Sequence, residues 1–555
     1  MRRLSLLLFS CLNAFVADAS ADVNRSSLQT YASKPRVFVL SDISNEPDDT
    51  ESFVRFLLYS NQLQIEGMAA VTSTWLKDKV YPEQISDVVD AYAEVVANLN
   101  QHTSPSSPYP SAEYLHSIVK SGPAVYGMEG VGPGMNLSSG AELLLDRLRQ
   151  PVDKPLWVLG WGGVNVLAET LYYIQHNFNA TEAARLRAQL RVYTISDQDD
   201  SGLWIREQFP DIFYIASMHG WNQYGLAAWS AISGEEYYNF DVGGPDFTKV
   251  SAAWLKKNIQ IGIYGKEYPD YKYFMEGDTP TFLYLIQNGL GVPEQPDYGS
   301  WGGRYSLVDL SKQVKYRQYS DAADRVVGQN NRTYTSNHAA IWRWRDAYQN
   351  DFAARMQWAL PANESKANHH PVVVVNGHAE LSPLVIASTP NATVSLDASG
   401  TYDPDRDSLS FRWFQYKEPG STDWNVDNQI PALDFTVSTD GERAQVTLPA
   451  ADEICDGKSS NDSGCWTLHL ILEVTDHGAI PLTTYKRVLF ETTNSTQSAT
   501  ESLVEDATVL DWKGYVEYDI DLDDYWVDDD WEEPILGRDC PCSGGHGGSG
   551  GHEHE

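Results

Sequence analysis

Positive charge is scarce in this 555-residue chain: 40 Lys and Arg stand against 76 Asp and Glu, a formal net charge of −36. Nucleic-acid polymers and anionic membrane surfaces are gripped through a basic footprint, so neither is an expected partner. Long hydrophobic runs are also missing. No apolar stretch of about 18 residues occurs beyond the N-terminus, which argues against a membrane-embedded protein. The mean hydropathy of −0.39 agrees. Cysteine is sparse at five residues, so a disulfide-dense scaffold is excluded.

The first 19 residues read as a secretory signal. Arg2 and Arg3 give the positive start, residues 4–16 the apolar stretch, and Ala17-Asp18-Ala19 the small-residue cleavage site. The apolar part is shorter than the roughly 20 residues that a membrane anchor needs. Its removal takes Cys11 and leaves Cys455, Cys465, Cys540 and Cys542. Cys455 and Cys465 flank a polar, turn-forming stretch and are the easier bridge. Cys540 and Cys542 are too close for an ordinary structural bridge; pairing with each other, with another chain or not at all stays open. Eight N-x-S/T sequons, at Asn24, Asn136, Asn179, Asn331, Asn363, Asn391, Asn461 and Asn494, fit glycosylation on a secretory route and a surface position for each.

Residues 35–360 alternate β-rich apolar runs with helix-period segments, the pattern of an α/β domain with a mostly parallel sheet covered by helices. Strands are expected at 36–40, 65–71, 156–159, 191–195 and 212–215, and helices at 50–60, 81–99, 139–149 and 164–175. A Pro/Asn/His linker follows at 361–370. Residues 371–495 then show short β-like runs at 371–375, 392–396, 410–416, 444–448, 466–474 and 484–491, which read as an all-β, Ig-like sandwich. Asp403, Asp405 and Asp407 read as a solvated Asx-rich turn in preference to a calcium loop. The tail, residues 500–555, holds 17 acidic against 2 basic residues and ends in Gly and His, a composition expected to be disordered.

The sharpest feature is SDISNEPDDTES from Ser41, set directly between an apolar strand and a helix. Ligands of open α/β sheets bind outside the carboxyl ends of the strands. Clustered carboxylates there need water or a cation to offset their repulsion, and a hard oxygen-seeking ion such as calcium suits them. Helix capping accounts for one of Asp48 and Asp49, scarcely for the whole set.

These residues resemble the N-terminal aspartate cluster of the inosine-uridine nucleoside hydrolases. Together, SDISNEPDDTES, WGGVNVLA, ISDQDDSG, EGDTPTFLYL, SWGGRY and IWRWRDAYQNDFAARMQW more closely resemble a secreted, cellulose-binding-type family with a nucleoside-hydrolase-like domain and a C-terminal sandwich. The resemblance covers roughly residues 35–495. It implies a calcium site made by Asp42, Asp49, Asp278 and the Gly160 carbonyl, with Asp48 on sugar hydroxyls. Two positions depart from the nucleoside hydrolases. The aspartate that activates water falls on Ser44, for which Asn45, Glu46 or a reoriented Asp42 would compensate. The histidine that assists departure of the base falls on Gly277, with Glu276 beside it as a candidate proton donor.

The expected catalytic residues are therefore Asp42 and Glu276. Asn45, Asp48, Asn165, Asp199, Asp200, Trp75 and Trp161 are the candidates for substrate contact, the tryptophans through ring faces that stack on sugars. The expected function is a secreted, calcium-assisted hydrolase of a glycosidic bond, acting on a carbohydrate polymer or oligosaccharide. The alternatives are a non-catalytic cellulose- or polysaccharide-binding protein and an extracellular nucleosidase.

Overall fold

The computed structural model describes residues 23–219, 221–308, 317–363, 366–421, 426–455, 464–493 and 500–503. The signal segment, Cys540, Cys542, Asn461, Asn494 and the tail beyond 503 lie outside them. No helix among the described residues is long and apolar enough to cross a membrane.

The first strand, β1 (Arg36–Ser41), is buried along its whole length, as a central parallel strand covered on both faces must be. Around it the sheet is built from β2 (Gln64–Ala70), β3 (Val119–Ser121), β4 (Leu156–Gly160), β5 (Leu190–Thr194), β6 (Phe213–Ala216), β7 (Tyr305–Leu307) and β8 (Gln318–Asp321), in the order β3-β2-β1-β4-β5-β6-β8-β7. All neighbours are parallel except β7 and β8. The strand order reverses at β1, which lies between β2 and β4. That reversal opens a crevice at the carboxyl ends of β1 and β4, where open α/β sheets take their ligands.

Helices cover both faces. α1 (Asp48–Leu58) and α2 (Pro82–Ala93) pack on one side, while α3 (Ser139–Arg149) and α4 (Asn165–Asn177) pack on the other. α1 starts with Asp48, Asp49 and Glu51 in its first turn, favourable against its dipole. α5 (Ser201–Gln208) follows β5, and α6 (Arg345–Trp358) closes the domain. After Asp278 the chain forms only a short helix, Pro280–Leu283. A hairpin of β9 (Asp324–Val327) and β10 (Thr333–Ser336) was not legible in the sequence.

The C-terminal part is a sandwich of two sheets. One runs in the order β13-β16-β17-β11-β18, from β11 (Leu384–Ser388), β13 (Leu409–Gln415), β16 (Thr467–Asp476), β17 (Thr483–Thr492) and β18 (Thr500–Leu503). The other, β12-β15-β14, has β12 (Thr393–Asp397), β14 (Asp434–Val437) and β15 (Arg443–Thr447). Residues 371–375, expected as a strand, make only isolated bridges. β18 pairs antiparallel with β11, so the sheet runs past the boundary expected at 495 and into the segment expected to be disordered. Cys455 and Cys465 are bridged. Asp403 accepts the amides of Asp405 and Asp407, an Asx turn. The six sequon asparagines among the described residues, Asn24, Asn136, Asn179, Asn331, Asn363 and Asn391, are all exposed.

The sandwich docks on the α/β domain through a shared core. Tyr416, Ile471 and Tyr485 belong to the same buried cluster as α1 and α6, and Trp344 sets its ring edge-on to Tyr485 at 5.6 Å. At the seam Asp324 is fully buried, with Arg304 at 2.6 Å, Arg343 at 2.7 Å and the Tyr416 hydroxyl donating at 2.7 Å. Burial alone would raise its pKa, but the two guanidinium groups outweigh that and hold the carboxyl below its usual value. A depressed carboxylate pKa contributes stability that is present above the unfolded value of about 3.9 and lost as pH falls through the folded one. Asp324→Asn leaves the buried Arg304 without its carboxylate and Arg343 with only Glu418, at 3.6 Å, and should cost roughly 3–5 kcal/mol in urea denaturation at neutral pH. The deficit should shrink below about pH 4; an equal deficit at both pH values contradicts this ion-pair account.

Candidate functional site

The acidic loop after β1 turns across the mouth of the sheet. Asp42 is buried, and its Oδ2 accepts from the Ser73 hydroxyl at 2.5 Å. Ser44 and Asn45 are exposed, Ser44 with a left-handed backbone (φ 98°). Asp48 is half-buried; Asp49 is buried and accepts a hydrogen bond from the Ser41 hydroxyl. Asp278 arrives from the other end of the domain, and one oxygen from each of Asp48, Asp49 and Asp278 lies within 4.8 Å of the others.

Asp42 stands beside this triad. Burial first, then the charges of Glu46 and Asp199, push its pKa up to about 6 despite the Ser73 hydrogen bond. Burial and the charges of Asp42 and Glu46 push Asp48 up to about 7. Asp49 and Asp278 are driven well above the ordinary carboxylate range by burial and by their acidic neighbours. Among the described residues, no lysine, arginine or histidine forms an ion pair with any of the four. The Oδ2 atom of Asp278 is buried without a hydrogen-bond partner. An all-oxygen set with an orphaned buried oxygen suits a hard cation, and calcium fits these residues on chemistry.

Two glycines allow this crowding. A Cβ on Gly162 would lie 2.8 Å from the Asp42 backbone nitrogen and 2.9 Å from its Oδ1. One on Gly277 would lie 3.0 Å from Asp48 Oδ2 and 3.2 Å from the Trp229 ring. A histidine at position 277 would therefore press on the Asp48 carboxylate and the Trp229 ring.

Several expected site residues also make scaffold contacts, although Asn165 Oδ1 and Asp199 Oδ2 stay buried without a hydrogen-bond partner. Glu276 is fully buried: its Oε2 meets Arg55 at 2.7 Å, its Oε1 accepts from Tyr268 at 2.7 Å, and its amide donates to Glu51. That clamp leaves no free acid to protonate a leaving group. The Gly160 carbonyl accepts the Ile195 amide and extends the sheet ladder. Trp161 is fully buried among Phe53, Phe56 and Phe282, with its ring nitrogen donating to Thr281. Asn165 is buried and donates to Thr72 and to the Val125 carbonyl. Asp199 accepts from the amide and hydroxyl of Ser201 at the start of α5, and Asp200 accepts the Met128 amide. Burial raises Asp199 to about 6. Trp75 is exposed, and its amide donates to Ser73 Oγ, the hydroxyl that holds Asp42.

Other residues of the site escaped the sequence. Trp229, Phe274 and Tyr224 wall it, with Trp229 5.0 Å from Tyr224 and 5.7 Å from Phe274. Arg55 carried a usable signal, a lone charge inside the apolar helical run Phe53–Leu58, which needs a buried partner.

The reversed strand order with a carboxylate cluster at its switch point defines a nucleoside-hydrolase-like α/β protein carrying a β-sandwich. Residues 36–305 match the family described as "Cellulose-binding Sde182, nucleoside hydrolase-like domain", and residues 393–492 match "Cellulose-binding protein Sde0182, C-terminal domain". A solved structure of a nucleoside hydrolase-related hypothetical protein from Saccharophagus degradans, described as associated with carbohydrate metabolism, is 30% identical. The match covers 83% of this chain and 100% of that one, with a TM-score of 0.66. A second structure, the effector protein XOO4466, is 12% identical over 60% of this chain and 95% of its own; its TM-score of 0.26 carries no argument. No curated protein matches. The chain belongs to the Sde182 family of proteins with a nucleoside-hydrolase-like domain and the Sde0182 C-terminal domain.

Crowded, unpaired carboxylates weaken the metal-free fold and gain from a cation. Asp49→Asn can keep the Ser41 hydrogen bond while removing one acid. In chelator it should be more stable than wild type, on the order of 1 kcal/mol. Added calcium should raise the thermal midpoint of wild type and leave the variant unmoved. A variant that is less stable in chelator, or equally responsive to calcium, contradicts the cation site.

Proposed function

We propose that the protein is a secreted, calcium-assisted hydrolase that cleaves a glycosidic bond in a cell-wall or other extracellular carbohydrate. The observation that carries this reading is the convergence of Asp48, Asp49 and Asp278 beside Asp42 at the switch point of the sheet. The names of its relatives, which speak of cellulose binding and carbohydrate metabolism, favour a carbohydrate over a nucleoside.

Asp48, Asp49 and Asp278 would hold the ion. When bound, calcium supplies a centre of positive charge for sugar hydroxyls and an attacking water. Asp48, open on one side, orients a hydroxyl. Asp42 takes the proton of the water as its oxygen bonds to the anomeric carbon, and the Ser73 hydrogen bond fixes the carboxylate for that transfer. The glycosidic carbon–oxygen bond breaks, and the departing oxygen takes its proton from solvent, since Glu276 is held by Arg55 and Tyr268. Trp75 offers an exposed ring face for stacking.

The locked Glu276 also favours a second reading, a calcium-dependent carbohydrate-binding protein without turnover. Incubation with polysaccharides, oligosaccharides and nucleosides, with and without calcium, separates the two. The hydrolase reading expects calcium-dependent release of sugar, and a loss of about 10²–10⁴-fold in Asp42→Asn, with calcium stabilisation retained. Saccharide binding without product from either protein sinks the hydrolase and leaves the binder. Release of a free nucleobase sinks both.

A further inference from the structure

The segment from Lys272 to Glu276 carries two residues in left-handed backbone, Tyr273 at φ 69° and Glu276 at φ 54°. For bulky side chains this region is costly and persists only where the surroundings fix it. Glu276 is fixed by Arg55, Tyr268 and Glu51. Tyr273 forms the tip of a minimal turn: Lys272 and Phe274 bridge across it, and the Phe274 amide donates to the Lys272 carbonyl at 3.0 Å. The turn sends neighbouring rings opposite ways. Phe274 packs inward on Trp229, next to Asp48, whereas Tyr273 stands 47% exposed.

Tyr237, 52% exposed, meets Tyr273 from a separate element, a one-turn helix, with ring centroids 5.6 Å apart. It also lies 6.1 Å from Phe274 at an interplanar angle of 37°. A run of ring contacts thus links the buried Trp229 at the carboxylates, through the half-buried Phe274, to two tyrosines in solvent. Scattered exposed aromatics need no explanation, but an exposed pair, one member of it held in a strained turn, joined by ring contacts to an acidic site does.

We propose that Tyr237 and Tyr273 form a stacking subsite for a neutral, β-linked glucan chain whose anchored sugar lies at Asp48. This rests on the carbohydrate reading above and adds to it the residues that hold the chain beyond the carboxylates. The platform begins two ring steps beyond Trp229, so a ligand of one ring at the carboxylates leaves it unused. The flat C–H faces of equatorially substituted glucose units match exposed phenol rings. The carboxylate cluster repels a uronic acid at the anchored sugar and selects a neutral unit there, while Lys272 lies beside the platform, 4.9 Å from the Tyr273 ring.

The test is calorimetric titration of the full-length protein in excess calcium with cellobiose and with cellohexaose. Wild type should bind cellohexaose more tightly. The double variant Tyr237→Ala, Tyr273→Ala should lose about tenfold for cellohexaose and nothing for cellobiose, and the double Phe variant should restore the affinity. Calcium-induced stabilisation, unchanged in both variants, shows that the fold and the cation site persist. Equal cellohexaose affinity in wild type and the Ala variant overturns the platform alone. No saccharide binding by wild type overturns the platform and the carbohydrate reading together.

Discussion

Repulsion among Asp42, Asp48, Asp49 and Asp278 is the constraint on which this structure turns. Several buried acids elsewhere in the fold are paired with arginine. Glu235 faces Arg345, Glu276 faces Arg55, Asp324 faces Arg304 and Arg343, and Asp351 faces Arg355. At the switch point no such cation is supplied, and the four groups can reside there only by holding protons or by sharing a metal ion. Leaving a buried acid unpaired costs stability, and a functional site is where proteins bear that cost.

The rest of the molecule holds these acids in place. β1 and α1 fix Asp42, Asp48 and Asp49 from one end of the domain. Asp278 is fixed from the other end through its neighbour Glu276, which is tied to Arg55 on α1. Arg55 is itself held by the Tyr348 carbonyl and the Gln349 side chain of α6. Trp344, just before α6, packs on Tyr485 of the sandwich, and Trp301 sets its ring against both Tyr348 and Tyr485. The sandwich therefore braces the site from behind, a role separate from any carbohydrate it touches itself.

The α/β class and the central strands were legible because β1, β4 and β5 are buried on both faces and are mostly apolar, with Arg191 the one charge inside β5. β7 and β8 are short and half-exposed, with no alternation to betray them. The acidic cluster was legible from its place after a strand, and the pairing of its ends only through the resemblance, since Asp49 and Asp278 are distant in sequence. Roles were harder to read. Glu276, Trp161, Asn165 and the Gly160 carbonyl all lie in site motifs, but a sequence does not state which way a side chain points. The partner of Glu276 lies 221 residues earlier. Tyr273 left no trace, because its exposure depends on a turn geometry that common residues rarely adopt, and Tyr237 meets it from a separate one-turn helix.

The central claim is that Asp48, Asp49 and Asp278 form a cation site. A crystal structure of the protein grown with calcium tests it most directly. The account predicts one ion with carboxylate oxygens of Asp48, Asp49 and Asp278 at about 2.3–2.6 Å. Density that shows only water among these side chains, with the carboxyl groups hydrogen-bonded to one another at saturating calcium, would contradict it.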